Sequence, residues 1–537
     1  MAPLRSQKSA QSLHQKSRVL RKLSPIEAFQ SASHLLGLYV GCAISCRYSL
    51  PQSLLAAAAE ASFESKIELT IARAVTQFPL FTVGRIKTER KKPLWLRLDQ
   101  IDLNNHIKWQ TVSETEDYEE ALNEALEWQV NTSYVNLETQ PCWRATILRS
   151  SKGSFVDIIF AWDHTAGDGK SGKMFHDRLL ECFNTQLENQ DSLALKDRVF
   201  EVPVTEFTPA LHHLLKLPVS INFILGEFGR DLITQAKSTK PPQTANWAPI
   251  RTEAVKTRLQ QITITKDSLQ EVLKNCRHHE TTLTALLHSL ISISMAARID
   301  ENKARAFECG TPMCLRQFQQ PGKYNIDLNK TAINSVVYWP YVFDQDIVAT
   351  IRHQLSNAKT NTEQNIQLEA TVWSTAKSIR EGLSTKLKQR TKNDQVGLTK
   401  FIMDWQSFLM DHAKTRTMSW EVSNVGVLQG GGLDGVAGDA DNCTIQSAIF
   451  TQAASVSGPA LTFSAISVKD GAFVLSCCWQ VGVVDDEMAK GVSSDIETWL
   501  NELAGTGSIR SHTLTLHPSQ FASSDPRYDV ALGRIRS

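Results

Sequence analysis

The chain carries no surplus of either charge: 57 lysines and arginines face 56 aspartates and glutamates, for a net charge of +1. The overall balance therefore gives no support to a nucleic-acid partner, which would favour a strongly basic surface. No apolar run approaches the roughly 20 residues needed to cross a bilayer. The amino-terminal stretch MAPLRSQKSAQSLHQKSRVLRKL is basic and free of acidic residues but lacks the apolar segment of a secretory signal. Ten cysteines are scattered without one CxxC pair, which argues against a zinc framework and against a thioredoxin-like site. They read as reduced thiols in a cytoplasmic protein, with Cys477 and Cys478 packed inside a strand, and no metal is expected.

What is present is a long, ordinary globular composition. The 537 residues, 42% hydrophobic and 21% charged, exceed a single core and predict two domains or large subdomains. Residues 1–22 read as a basic, disordered tail, with a weak membrane-surface contact or a transit segment as alternatives. Residues 23–237 read as a mixed α and β unit, in which CWRATILRS and FVDIIFAWD are neighbouring strands and GKMFHDRLLECFNTQL is a helix. The segment 238–250, STKPPQTANWAPI, reads as a proline-rich linker. Residues 251–537 repeat the α+β character, which predicts two similar layered units meeting along a cleft.

The stretch DHTAGDGKSG, residues 163–172, offers three chemistries. A phosphate-binding P-loop needs a glycine five positions before Gly169, and His164 stands there. A hydrolase elbow needs G-x-S-x-G, but around Ser171 the final glycine is displaced by one position. The third reading uses His164 as a base at the end of a buried strand, with Asp168 fixing the turn and Gly167 and Gly169 allowing it to bend. The HHETTL segment fails the HExxH zinc pattern, because Leu283 occupies the second histidine position.

HTAGDG resembles the HxxxDG motif of the CoA-dependent acyltransferase superfamily, which includes chloramphenicol acetyltransferase, plant BAHD acyltransferases and condensation domains. Within it the chain is most similar to the fungal alcohol O-acetyltransferases. LSPIEAFQSASHLLGLY, TTLTALLHSLI, GTPMCLR, WEVSNVGV and FSAISVKDGAFVLSCCWQVGVVDDE resemble family segments in the same order, from about residue 20 to 505. Two departures stand out. Asp163 replaces the first histidine of the doubled pair common in relatives, and the plant DFGWG motif is absent.

The resemblance implies two chloramphenicol-acetyltransferase-like subdomains with a tunnel between them. It implies transfer of acetyl from acetyl-CoA, or another acyl-CoA, to the hydroxyl of a small apolar metabolite or alcohol. His164 would be the general base and Asp168 a structural orienter paired with Arg316, or failing that with Arg47, and Gly169 would complete the motif. Ser423, Asn424 and Gly426 could serve the tetrahedral oxyanion, or Asn424 could be an ordinary strand residue. Trp479 could line the acceptor tunnel or belong to the core. The rival expectations are N-acyl transfer to an amine, an acyl-carrier donor in place of CoA, and a binding protein of the same fold without catalysis. The chain is expected to act as a monomer, cytoplasmic or peripherally associated with the endoplasmic reticulum or lipid droplets.

Overall fold

The computed structural model describes residues 18–510 apart from 52–59, 152, 186–192, 228, 230–239, 321–323, 358–360 and 432–441. Among these residues the chain forms strands β1 (Val19–Lys22), β2 (Cys42–Ser49), β3 (Val83–Ile86), β4 (Leu94–Arg97), β5 (Gln100–Asp102), β6 (Ile107–Val112), β7 (Trp143–Ser150) and β8 (Phe155–Trp162). The remaining strands are β9 (Val199–Glu201), β10 (Thr257–Ile264), β11 (Phe307–Cys314), β12 (Val336–Phe343), β13 (Trp420–Leu428), β14 (Thr444–Gln452), β15 (Leu461–Val468) and β16 (Phe473–Gln480). Two sheets dominate: a five-stranded one in the order β14-β2-β8-β7-β6 and a six-stranded one in the order β10-β16-β15-β13-β11-β12. This is the expected α+β architecture of two sheet-and-helix subdomains.

Local sequence explains the placement. FVDIIFAW lies centrally between β2 and β7, and seven of its eight residues are buried, which suits a strand covered on both faces. TRLQQITI forms an edge strand and instead alternates buried and exposed positions. The helix Glu60–Thr76 packs with the helix Gly169–Asn184 on one face of the first sheet, and the helix Tyr118–Asn131 contacts strands of that sheet too. The second sheet is backed by the helices Lys266–His278, Leu283–Arg298 and Asp486–Thr506. Each sheet carries its own large apolar cluster.

Three boundaries read from the sequence change. Strand β1 occupies part of the expected tail and pairs with β4, while residues 1–17 lie outside the described residues. The described part of the 238–250 segment is packed, not loose. Its Ala245 N–H donates to the Arg416 carbonyl, Trp247 Nε1 donates to Ser419 Oγ, and Arg416 Nε donates to the Ala248 carbonyl. Strand β14, from the expected second unit, pairs with β2 in the first sheet. The two halves therefore share a strand, and a single cut near residue 250 does not separate them. The glycine-rich stretch 429–439 falls largely outside the described residues.

Candidate active site

Strand β8 ends at Trp162, which pairs with Cys42 of β2 on one side and Trp143 of β7 on the other. The chain then leaves the sheet, turns through residues 163–168 and enters the helix Gly169–Asn184. Two buried carboxylates clamp the turn. Asp163 pairs with the fully buried Arg85, and its Oδ1 accepts both the backbone N–H and the hydroxyl of Thr165 at 2.8 Å. Arg85 also meets the Thr165 hydroxyl. Burial alone would raise the Asp163 carboxyl, but Arg85 holds it below its ordinary value. The departure at position 163 is thus matched by a dedicated cation.

Asp168 caps the helix. Its Oδ1 accepts the Ser171 N–H at 3.1 Å and the Ser171 hydroxyl at 3.0 Å. Its Oδ2 lies 2.5 Å from Arg316 Nη1 and accepts the Ser335 N–H at 3.0 Å. Burial opposes the charge on Asp168, and Arg316 together with the Ser335 N–H lowers its pKa nonetheless. Arg316, just past β11, also donates to the carbonyls of Leu328 and Ile333 at 3.0 and 2.8 Å. Arg47 is not a partner of Asp168. It binds Asp157 at 2.9 Å and Glu119 at 2.9 Å, because as a residue of β2 it lies directly opposite Asp157 of β8.

His164 is half-buried, so its ring is not sealed in hydrocarbon. Burial lowers its pKa below the ordinary histidine value, outweighing the opposite pull of Asp168, its own carbonyl and Asp163. Asn334, fully buried two residues before β12, donates from Nδ2 to the His164 carbonyl at 3.1 Å and stands 3.0 Å from His164 Nδ1. With the imidazole proton on Nδ1, that N–H faces the same carbonyl and Nε2 keeps a free lone pair. With the proton on Nε2, Nδ1 accepts from Asn334 instead. The Tyr39 ring lies across from the imidazole, with centroids 6.0 Å apart.

Gly169 opens the helix where β13 crosses it. A Cβ there would stand 2.7 Å from Val425 Cγ1 and 3.0 Å from Phe450 Cζ, so any side chain would push the second sheet off the turn. Val425 lies in a bulge of β13 between Asn424 and Val427, and Gly426 takes φ +85° there. Asn424 is exposed; its Oδ1 accepts the Gly426 N–H at 2.9 Å and its Nδ2 donates to Thr284 Oγ1 at 3.5 Å. Ser423 is buried and pairs with Ser464 of β15.

Trp479 does not face the site. It is 1% exposed in the core of the second subdomain, and its Nε1 donates to Asp486 Oδ1 at 2.8 Å at the start of the carboxy-terminal helix. A cavity of about 1040 Å³ lined by Arg73, Gln100, Lys196 and Glu201 also lies apart from His164. Sequence reasoning did not single out Asn334, Arg85 or Tyr39. An arginine inside the buried strand VGRI is itself a signal, since a charge there demands a partner. Nothing in KTAINSVV marks Asn334.

Two sheet-and-helix halves, joined by an exchanged strand and carrying HxxxDG at their junction, define an acyltransferase fold. The sequence profile of the alcohol acetyltransferase family matches residues 99–492, and the chain belongs to that family. It is 23% identical over 508 residues to a probable alcohol acetyltransferase, FCK4, of Fusarium pseudograminearum, covering 91% of this chain and 96% of that one. It is 22% identical over 477 residues to a probable alcohol acetyltransferase, crmB, of Aspergillus fumigatus, covering 86% and 95%. Among solved structures it resembles the TRI3 trichothecene 15-O-acetyltransferase of Fusarium sporotrichioides, with a TM-score of 0.61 at 14% identity over 90% of this chain and 94% of that one. The first condensation domain of the calcium-dependent antibiotic synthetase gives a TM-score of 0.55 at 11% identity, covering 91% and 98%. The protein is an acyltransferase. No helix among the described residues is long and apolar enough to cross a membrane.

Proposed function

We propose that the protein transfers an acetyl group from acetyl-CoA to the hydroxyl of a small alcohol, with His164 as the general base. The observation that carries this reading is the part-buried imidazole, its pKa lowered by burial, held by Asn334 at the junction of the two halves. A neutral ring with its proton on Nδ1 presents Nε2 as the acceptor of the substrate proton. The hydroxyl oxygen attacks the thioester carbonyl while His164 Nε2 takes its proton; the tetrahedral intermediate then collapses, the C–S bond breaks, and the imidazolium returns the proton to the departing thiolate. Base catalysis of this kind is worth about 10²–10⁴ in rate. Holding both substrates in one recess contributes further, on the order of 7–11 kcal/mol in the best oriented cases. The thioester is already activated, so no acyl-enzyme is required.

In this reading Asp168 takes no proton, since Arg316, Ser335 and Ser171 occupy its oxygens; it positions the turn. Ser423, Asn424 and the Gly426 backbone are the proposed polar surroundings of the oxyanion, on the bulge that touches Gly169. CoA and the acceptor are co-substrates and not resident groups. The test is incubation of purified protein with acetyl-CoA and a panel of alcohols and amines, following free thiol and product mass. Ester formation supports the proposal. Amide formation without ester, or thiol release that no acceptor increases, contradicts it.

A further inference from the structure

The chain is nearly neutral overall, yet its charges are not evenly spread. No aspartate or glutamate occurs between Glu206 and Glu227, and only Asp394 occurs between Glu381 and Asp404. The fold lays these two stretches against each other. The Asn393 N–H donates to the Pro218 carbonyl at 2.9 Å, the Ser220 N–H donates to Asn393 Oδ1 at 2.8 Å, and Thr391 Oγ1 donates to the Lys216 carbonyl at 2.5 Å. Asp394 itself is 1% exposed and pairs with Lys386, so it adds no negative surface. Lys216, Lys388, Arg390, Lys392 and Lys400 are all exposed. These cations share one face to which neither stretch contributes an exposed carboxylate.

Between the two stretches lies a groove of about 510 Å³. Its walls are mainly apolar, from Ile26, Leu211, Leu215, Leu217, Pro218 and Val396, and its rim carries His212, Lys216 and Lys400. Leu211, Leu215 and Val396 belong to the core of the first subdomain, which fixes the floor in place. Gly397 allows the close crossing, since a Cβ there would stand 2.7 Å from Val219 Cγ1. The third wall, residues 24–26, is followed by Glu27, a carboxylate already buried and held by Arg21. None of residues 163–168 lines the groove.

We propose that this groove binds a fatty carboxylate, as a free single-chain molecule, at a site separate from the acetyl-transfer centre. The hydrocarbon chain covers the aliphatic floor and leaves water as it does so. The carboxylate meets Lys216 and Lys400 at the rim, where no exposed acid of either stretch competes for them. The volume falls within the range of small-molecule sites, about 300–1,000 Å³, and suits one chain. A cationic amphiphile would meet like charges at the rim, and a short carboxylate would leave the floor bare. Head and chain are therefore both required.

Binding of decanoate, butanoate and decyltrimethylammonium to the full chain is compared by calorimetry at neutral pH, below micelle-forming concentrations. The wild type is expected to bind decanoate about tenfold more tightly than either of the others. Lys216→Glu combined with Lys400→Glu should bring decanoate within about threefold of the decyl cation, with the melting temperature unchanged. If that reversal unfolds the protein, Lys216→Gln with Lys400→Gln makes the same comparison. Equal binding of the three probes by the wild type overturns the proposal. A decanoate preference that survives the lysine substitutions also overturns it, by placing the ligand elsewhere. So does sedimentation with phosphatidylserine vesicles by a chain that binds no free decanoate, which would make this face a membrane contact instead. A decanoate preference that depends on both lysines, in a protein that acetylates no alcohol, would count against the function proposed above and leave the groove standing.

Discussion

Asp168 and Arg316, 148 positions apart, meet at 2.5 Å where the strand that leads to His164 in one half approaches the end of β11 in the other. Both are nearly inaccessible, at 4% and 3% exposure. The pair therefore acts on two levels at once: it caps the helix after the histidine and clasps the two subdomains together.

Removing one partner leaves a buried charge uncompensated, which costs about 3–5 kcal/mol. Asp168→Ala is expected to lower the melting temperature and the rate together. A rate loss with an unchanged melting temperature, read by calorimetry, would contradict the structural role. Because the folded pKa of Asp168 is depressed, its contribution is present above about pH 4 and is lost as pH falls through the folded value. Asp168→Asn should accordingly flatten part of the acid denaturation profile.

Asp163→His makes the motif more like that of its doubled-histidine relatives, yet it should destabilise this chain. Arg85 is buried beside Asp163 and would face a second potential cation. A loss of several kcal/mol is expected in urea unfolding, and pairing the change with Arg85→Met should recover much of it. A neutral single substitution would show that Arg85 is satisfied elsewhere.

Gly169→Ala places a methyl 2.7 Å from Val425 Cγ1 and is expected to cost about 1–3 kcal/mol by overpacking. Val425→Ala opens that space. The double variant should be more stable than the sum of the two single losses implies, and a double-mutant cycle on denaturant midpoints measures the coupling. Strict additivity would mean that β13 does not press on the helix start.

Much of the fold could be read from local pattern. Strand β8 shows as an unbroken apolar run, Ser24 with Pro25 and Glu27 marks its helix start by a capping box, and HTAGDG marks a strand-turn-helix junction. What escaped was set by distant partners. The Arg316–Asp168 pairing came from family resemblance, while Arg47, equally plausible by type, was taken by Asp157 directly across the sheet. For Trp479 the sequence allowed a tunnel lining or the core, and strand pairing places it in the core. Proline-rich spelling suggested a loose segment at 238–250, whereas Arg416 binds its backbone carbonyl at Ala248. Asn334 carries no local signature at all, because its importance lies in a neighbour 170 positions away in sequence, His164.

The lowered pKa of His164 has a kinetic consequence. The base is active when neutral, so its active form persists further into acid than an ordinary imidazole's would. The acid limb of kcat/KM should have its midpoint below the usual 6.5 or so for histidine. A midpoint above it would mean that the pull of Asp168 and Asp163 on the ring outweighs its burial.

The most direct test is the transfer of acetyl from acetyl-CoA to an accepted alcohol by the wild type and by His164→Ala, with melting temperature measured on both. A fall of at least about 10²-fold in ester formation, in a variant that melts close to the wild type, is the predicted result. Ester formation at the wild-type rate by a folded His164→Ala variant would contradict the account.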